Sequence, residues 1–227
     1  MRGGTMALEN LLDGEQFFLV AELEPPKGVD TAEFEKNAEA LRGRVQAVLV
    51  PEMSGAIMRM GSLGASHLLQ KKGIETIMSM NCRDRNRLAV QADMLSAFAL
   101  GLENVCIVEG DHISSGDHMD AQAVNDLDLI SALEASKKLQ KGVDLGGNEL
   151  VGMPRFNVGS QVNAGLTGSA LEVEIMSMEK KIKAGAQYFF TPTMYDLKAI
   201  EDFMKRVAPF KIPILPQVTV LNSVGMA

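Results

Sequence analysis

The chain has 227 residues, of which 46% are hydrophobic and 22% charged, as in a globular protein with a sizeable core. Its net charge of −7 argues against a nucleic-acid partner, which needs a basic surface. The sequence shows neither an apolar run long enough to span a membrane nor a signal-peptide pattern. Cys82 and Cys106 lack the spacing of metal ligands or of a disulfide framework. We therefore expect a cytoplasmic protein without a metal site.

Short apolar runs recur along the chain and predict seven strands. They lie at residues 17–21, 45–50, 74–80, 104–108, 156–162, 187–191 and 212–218. Most of these runs are continuously apolar rather than alternating, which is typical of strands buried on both faces of a parallel sheet.

Amphipathic stretches separate the strands and predict six helices. They lie at residues 31–41, 59–72, 84–100, 126–139, 170–184 and 196–207. Asp84 is the expected N-cap of the third helix, and Gly101 follows its C-terminus. The regular alternation of strand and helix favours a parallel sheet with helical crossovers.

Two architectures fit this alternation, a closed barrel and a doubly wound open sheet. The first turn after a strand, at residues 24–28, reads Glu-Pro-Pro-Lys-Gly rather than a Gly-rich dinucleotide fingerprint, which favours the barrel. A closed barrel has eight strands, and only seven are predicted. We therefore expect an α/β fold, a (β/α)8 TIM-type barrel, in one domain over residues 1–227 and without the last β/α unit. Either a truncated chain or a second chain that covers the open seam accounts for that missing unit.

Acidic residues follow the first predicted strand. Glu22 ends it and Glu24 lies two residues further on, so both side chains face the same way if the strand continues. The carboxyl ends of barrel strands form the usual catalytic rim, where a carboxylate is placed for acid–base chemistry. A solvated strand end is the alternative interpretation of both residues.

Gly110, Asp111 and His112 open a long irregular segment, residues 110–125, after the fourth predicted strand. Glycine lets a ligand approach the backbone closely, and aspartate accepts hydrogen bonds, so this segment is a candidate binding loop. An Asx-turn is the alternative. The repeat of Gly-Asp-His at residues 116–118 does not predict a metal site, because both copies lie in one loop.

Three alternating arginines, Arg83, Arg85 and Arg87, follow the third predicted strand. The simplest interpretation is that they are solvated side chains at the start of a helix. The N-terminus of that helix is also suited to face an anion such as a phosphate.

Four motifs, in this order and at this spacing, resemble the methylenetetrahydrofolate reductase family over nearly the whole chain, from residue 17 onward. They are Ala-Glu-Leu-Glu-Pro-Pro-Lys-Gly (21–28), Asn-Cys-Arg-Asp-Arg-Asn-Arg (81–87), Leu-Glu-Asn-Val-Cys-Ile-Val-Glu-Gly-Asp-His (102–112) and Met-Glu-Lys-Lys-Ile-Lys-Ala-Gly-Ala-Gln-Tyr-Phe (178–189). The most similar branch belongs to anaerobic one-carbon metabolism. Its members often work with a metal-containing partner subunit, so the resemblance implies an oligomer with such an electron donor.

The resemblance implies a flavoprotein, with FAD or FMN, that reduces 5,10-methylenetetrahydrofolate to 5-methyltetrahydrofolate. In the family, the hydride comes from flavin N5, and a glutamate at the end of the first strand protonates folate N10. Glu22 matches that glutamate. Asp111 matches an aspartate close to the flavin pyrimidine and the pterin, and both residues are assigned as catalytic by resemblance.

The resemblance also assigns residues to flavin binding. Lys181 matches a lysine on the phosphate side, Glu174 falls at a position suited to the ribityl chain, and Asn163 falls where some relatives have a flavin-contacting histidine. The remaining candidates for the flavin site are Ser79, Gly110 and His112.

The chain departs from the family pattern at three strand ends. Pro51 replaces a threonine, Asn81 and Ser79 stand at hydroxyl and histidine positions, and Pro192 replaces a glutamine used for folate and nicotinamide. Proline donates no hydrogen bond. These changes favour electron delivery by a partner. They also keep open a non-catalytic flavin- or folate-binding subunit, whereas a pterin methyltransferase barrel is disfavoured because no corrinoid or zinc motif is visible.

Overall fold

A parallel sheet of seven strands forms the centre of the fold. The computed structural model describes residues 8–14 and 16–221. The order of the strands in the sheet follows the chain, and all neighbouring pairs are parallel. The strands are β1 (Val20–Glu22), β2 (Ala47–Val50), β3 (Thr76–Asn81), β4 (Asn104–Val108), β5 (Asn157–Gln161), β6 (Tyr188–Thr193) and β7 (Ile214–Gln217). All seven predicted strands are confirmed.

Helices connect the successive strands. The sheet curls into a half-barrel, and the helices lie on its outer side. The helices are α1 (Leu8–Leu12), α2 (Ala32–Leu41), α3 (Ser62–Lys71), α4 (Arg87–Ala99), α5 (Leu129–Leu139), α6 (Gly168–Ala184) and α7 (Leu197–Val207). The described residues form seven of the eight strands of a (β/α)8 barrel, as expected from the sequence. In the part of the chain that the structure describes, no helix combines the length and the apolar character needed to cross a membrane.

Alternate side chains of each strand point into the half-barrel or out towards the helices. The inward set forms one buried apolar cluster that includes Leu49, Ile77, Cys106 and Phe190. Leu8 of α1, a helix that the sequence did not predict, belongs to the same cluster and is fully buried. Because the side-chain period of a strand is two, the residues that continue these inward rows past the apolar layer reach the carboxyl rim.

The ring of Tyr188 fills part of the interior of the half-barrel, next to Gly159. Tyr188 is fully buried, donates a hydrogen bond from its hydroxyl to the Val105 carbonyl at 3.2 Å, and packs edge-to-face on Phe190. A Cβ at Gly159 of β5 would lie 2.2 Å from the Tyr188 ring. A side chain at residue 159 is therefore excluded by the ring and not by the backbone conformation.

The prediction that Asp84 is the N-cap of α4 is wrong. Asn86, not Asp84, caps this helix, because the Asn86 side chain accepts hydrogen bonds from the backbone N–H groups of Leu88 and Ala89. The Asp84 carboxylate is already occupied, since it accepts hydrogen bonds from Asn81 and Arg83. The N-cap therefore lies two residues later than the sequence suggested.

Replacement of Gly159 by alanine is expected to destabilise the protein by about 1–3 kcal/mol, because the added methyl group overpacks the interior. The matched control is Gly64→Ala in α3, where a Cβ meets no atom within 4 Å and alanine is the better helix former. The measurement is urea unfolding followed by circular dichroism. Equal unfolding midpoints for Gly159→Ala and the wild type would contradict this packing.

Candidate functional site

Polar side chains continue the inward rows of the strands at the carboxyl rim. Glu22 lies two residues after Val20, and Gln217 lies two residues after Leu215; both of these apolar residues pack on the interior cluster. The Gln217 amide Nε2 donates a hydrogen bond to Glu22 Oε2 at 3.1 Å, across the gap between β1 and β7. The two edge strands of the sheet thus meet through one carboxylate–amide pair.

Glu22 faces a cavity of about 900 Å³ between β1 and β7, which we call the seam cavity. Apolar side chains, among them Leu49, Phe190 and Leu215, make up much of its lining. Solvent reaches the carboxylate through this cavity, but the surrounding protein atoms remove part of its hydration and raise the pKa of Glu22. This loss of hydration makes the charged carboxylate less stable relative to the acid than it is in water.

Two neighbours adjust the proton affinity of Glu22 further. The negative charge of Glu24 raises the pKa of Glu22, and the hydrogen bond from Gln217 lowers it. Arg59 Nε lies 3.2 Å from Glu24 Oε2, so this second glutamate is paired with a cation. The two glutamates therefore differ in environment: the pKa of Glu22 is raised, whereas Glu24 is part of an ion pair.

Gly110, Asp111 and His112 lie together where β4 ends, as the sequence predicted for the start of a loop. Gly110 has a left-handed backbone (φ +91°), and a Cβ there would approach the Cβ atoms of Asn81 and Arg83 to 3.1 and 3.2 Å. Asp111 Oδ2 accepts a hydrogen bond from the Gly55 backbone N–H at 2.6 Å. This carboxylate is therefore fixed by the loop that follows β2.

A second cavity of about 600 Å³, which we call the loop cavity, lies under residues 110–125. Its lining combines apolar side chains such as Met119 and Leu127 with Arg83, Asp111 and His112. Cys82 also contributes to the lining, but burial raises the pKa of its thiol to about 12. A thiol with that pKa is protonated and is not a nucleophile at neutral pH.

Asn163, Glu174 and Lys181 form a third group beside the end of β5. Lys181 Nζ is buried, donates to the Gln161 carbonyl at 2.8 Å and lies 3.4 Å from Glu174 Oε1. The same carboxylate oxygen accepts a hydrogen bond from the Asn163 backbone N–H at 3.2 Å. Lys181, which the resemblance assigned to the flavin phosphate, therefore already has its ammonium group bound to protein oxygens beside the end of β5.

The predicted site residues therefore reach one rim in three separate groups, centred on Glu22, Asp111 and Lys181. Ser79, also predicted for the site, is a buried residue of β3 whose carbonyl accepts a hydrogen bond from the Ser62 hydroxyl. Sequence reasoning missed Gln217, although a glutamine in an otherwise apolar predicted strand was a usable signal.

The interpretation of Arg83 and Arg85 as solvated side chains is wrong. Arg83 is 6% exposed, and the side chain of Arg85 forms ion pairs with Glu52 and Asp93. Only Arg87, paired with Asp126, keeps an exposed side chain. Sequence spacing alone did not distinguish the three arginines, because each also has a partner that is distant in sequence: Asp111 for Arg83, Glu52 for Arg85 and Asp126 for Arg87.

The fold and the carboxylates at its rim define a (β/α)8-type barrel with a polar site at the carboxyl ends of its strands. The family model described as Methylenetetrahydrofolate reductase matches residues 7–227, so the chain belongs to the methylenetetrahydrofolate reductase family. No curated protein matches the sequence at a significant level.

Solved structures share the fold at low sequence identity. One is an uncharacterized protein from Clostridium thermocellum that binds two copies of 5-methyl-5,6,7,8-tetrahydrofolic acid (TM-score 0.66, 16% identity, 93% of this chain and 69% of that chain). Another is 2,3-dimethylmalate lyase (0.60, 12%, 94% and 72%). A third is oxaloacetate acetylhydrolase (0.58, 12%, 99% and 76%). At these identities the similarity establishes the barrel fold.

The environment of Glu22 predicts how its pKa responds to its neighbours. Glu24→Gln should lower the pKa of Glu22, because a repulsive charge is removed, whereas Gln217→Leu should raise it, because a hydrogen bond to the carboxylate is lost. The measurement is a pH titration of glutamate side-chain carboxyl signals by ¹³C NMR, with Glu22→Gln to assign the resonance. Shifts of the opposite sign in either variant would contradict the geometry.

Proposed function

We propose that this chain carries the catalytic barrel of a flavin-dependent methylenetetrahydrofolate reductase. The observation on which the proposal rests most is Glu22: a carboxyl group at the end of β1, in a largely apolar cavity that raises its pKa. Family membership suggests the reaction, which is the reduction of methylenetetrahydrofolate, and Glu22 is the proposed acid in that reaction.

The role of Glu22 follows from its proton affinity. A protonated Glu22 would donate its proton to N10 of 5,10-methylenetetrahydrofolate, which opens the five-membered ring and leaves an electrophilic methylene group on N5. Gln217 would orient the carboxyl group through the hydrogen bond to Oε2. General acids of this kind act best when their pKa lies near the working pH, and the raised pKa of Glu22 supports this role.

Asp111 is the second residue in the proposed reaction. Its carboxylate, oriented by the Gly55 N–H, is suited to accept hydrogen bonds from the N–H groups of a pterin or flavin edge. Gly110 beside it presents a backbone without a side chain. We assign Asp111 to binding and orientation of the reacting rings, with the negative charge disfavouring an anionic ring next to it.

The loop cavity is the proposed site of the flavin ring. Its volume of about 600 Å³ lies in the range of small-molecule sites, and its lining joins apolar side chains to the polar groups of Asp111 and His112. When bound there, reduced flavin, as FAD or FMN, would supply the hydride that converts the methylene group to methyl. Lys181 does not line this cavity, and contact with a flavin phosphate would require it to exchange Gln161 and Glu174.

The electron donor is proposed to be a metal-containing partner subunit rather than a nicotinamide. Pro192 stands at the end of β6, where the family uses a glutamine side chain, and it offers no hydrogen-bond donor. The proposed compartment is the cytoplasm, where Cys82 and Cys106, both free thiols, would stay reduced.

A second candidate function is folate binding without catalysis. The Clostridium thermocellum protein that shares the fold binds two copies of a methylated folate, and the seam cavity and the loop cavity of this chain are both large enough for a small molecule. Under this alternative the raised pKa of Glu22 has no catalytic use. The two functions are distinguished by turnover and not by binding.

Glu22→Gln is expected to lower the rate of methylenetetrahydrofolate reduction by about 10²–10⁴, the usual contribution of a general acid. The wild-type rate should fall as pH rises through the pKa of Glu22, because the proton donor is lost, and the variant should lack this dependence. The measurement is folate turnover by anaerobic stopped flow, at matched flavin occupancy.

The control for this variant is Glu33→Gln, an exposed glutamate on α2, which should keep the wild-type rate. Flavin absorbance must be retained in both variants. A Glu22→Gln protein that keeps its flavin and reduces folate at the wild-type rate would exclude Glu22 as the proton donor.

A further inference from the structure

Arg83 is a buried cation with an unusual set of partners. Its side chain is 7% exposed, yet it carries the full charge of a guanidinium. Nε and Nη2 donate to the two oxygens of Asp84, at 2.7 and 2.6 Å, and Nη1 donates to the Asp111 carbonyl at 2.7 Å. One planar group thus joins the end of β3 to the first residues of the loop after β4.

The backbone of Arg83 contacts both ends of the same loop. Its N–H donates to the Glu109 carbonyl at 3.1 Å, and its carbonyl accepts a hydrogen bond from the Val124 N–H at 2.8 Å. Both ends of the loop of residues 110–125, which we call the β4 loop, therefore lie next to Arg83. We call this place, where the two ends meet, the neck of the loop. We expect the position of the whole loop to depend on this neck.

Asp111 is consequently fixed at two points. Arg83 binds its backbone carbonyl, and the Gly55 N–H binds its carboxylate at 2.6 Å. Loss of the guanidinium contact would free the peptide group after Asp111 to rotate. The carboxylate would then lose its fixed direction towards the rim, although no atom of the carboxylate is changed.

The geometry favours positioning over anion binding as the role of Arg83. The two oxygens of Asp84 neutralise the guanidinium, and Arg83 in turn lowers the pKa of Asp84, so the pair stays charged. Three of the five N–H groups of the guanidinium donate to protein oxygens, and its side chain is only 7% exposed, which leaves little of it for an external phosphate. Lysine does not reproduce this arrangement, because an ammonium group lacks the planar fork that donates to both oxygens of one carboxylate while a third N–H reaches the Asp111 carbonyl.

We propose that Arg83 is a positioning residue that fixes the neck of the β4 loop and thereby the orientation of Asp111 for the reaction. This inference depends on the proposed function, because it gives Asp111 a task at the reacting rings. It also has a structural consequence that is independent of activity, which is the protection of the loop backbone.

The first test is hydrogen exchange of the intact protein, with any co-purifying partner. Arg83→Lys should accelerate exchange of the amides in residues 111–124 by about tenfold or more, because local opening of the loop becomes easier. Arg155→Gln, which removes an exposed arginine paired with Glu9, is the matched control and should leave this segment near wild type. Unchanged exchange in Arg83→Lys would overturn the proposal.

The second test is a double-mutant cycle with folate turnover. Arg83→Lys should lower kcat by about 10–100-fold with a smaller change in KM, as expected when a reacting group is displaced by about 1 Å. If Arg83 acts through Asp111, the same replacement should have little further effect in an Asp111→Asn background. A loss that persists at full size in that background would contradict a positioning role.

Asp84→Asn provides a second route if Arg83→Lys does not fold. It keeps the arginine but weakens the carboxylate that aligns it, so faster exchange of the β4 loop and a lower kcat are again expected. Wild-type exchange and kcat in this variant would count against the proposal. A wild-type protein that binds folate without turnover would refute the proposed function, whereas the exchange comparison would still test the neck.

Discussion

The parallel register of seven strands is the constraint on which the rest of this structure depends. Because every strand runs in the same direction, all the carboxyl ends meet at one rim, and alternate residues point inward along each strand. The apolar inward positions fill the half-barrel, and Gly159 leaves the room that the Tyr188 ring requires. Polar residues enter these inward rows towards the carboxyl ends of the strands, and Glu22 and Gln217 meet there.

The two main carboxylates at the rim, Glu22 and Asp111, lie in different environments. Glu22 lies in a largely apolar cavity, next to another negative charge, and its pKa is raised. Asp111 lies in a loop whose backbone N–H at Gly55 binds the carboxylate directly. One position suits a proton donor and the other a fixed acceptor. This division, and not either residue alone, is the basis on which we propose reduction of a bridged folate.

The elements of the fold were predictable because buried parallel strands are continuously apolar and their crossovers are amphipathic. The helix at Leu8–Leu12 was missed, since five residues are too few to show a helical period. Long-range pairs were not predictable: Gln217 reaches Glu22 across 195 residues of sequence. The burial of Arg83 was missed for the same reason, because its acceptor at Asp111 lies 28 residues further on.

The measurement that tests the central claim most directly is an anaerobic half-reaction. The protein, purified with any partner that accompanies it, is reduced with dithionite and mixed with 5,10-methylenetetrahydrofolate, and flavin absorbance and folate products are followed together. We predict reoxidation of the flavin with formation of 5-methyltetrahydrofolate in equal amount. Flavin that stays reduced while folate binds would contradict the reductase and would support a folate-binding subunit.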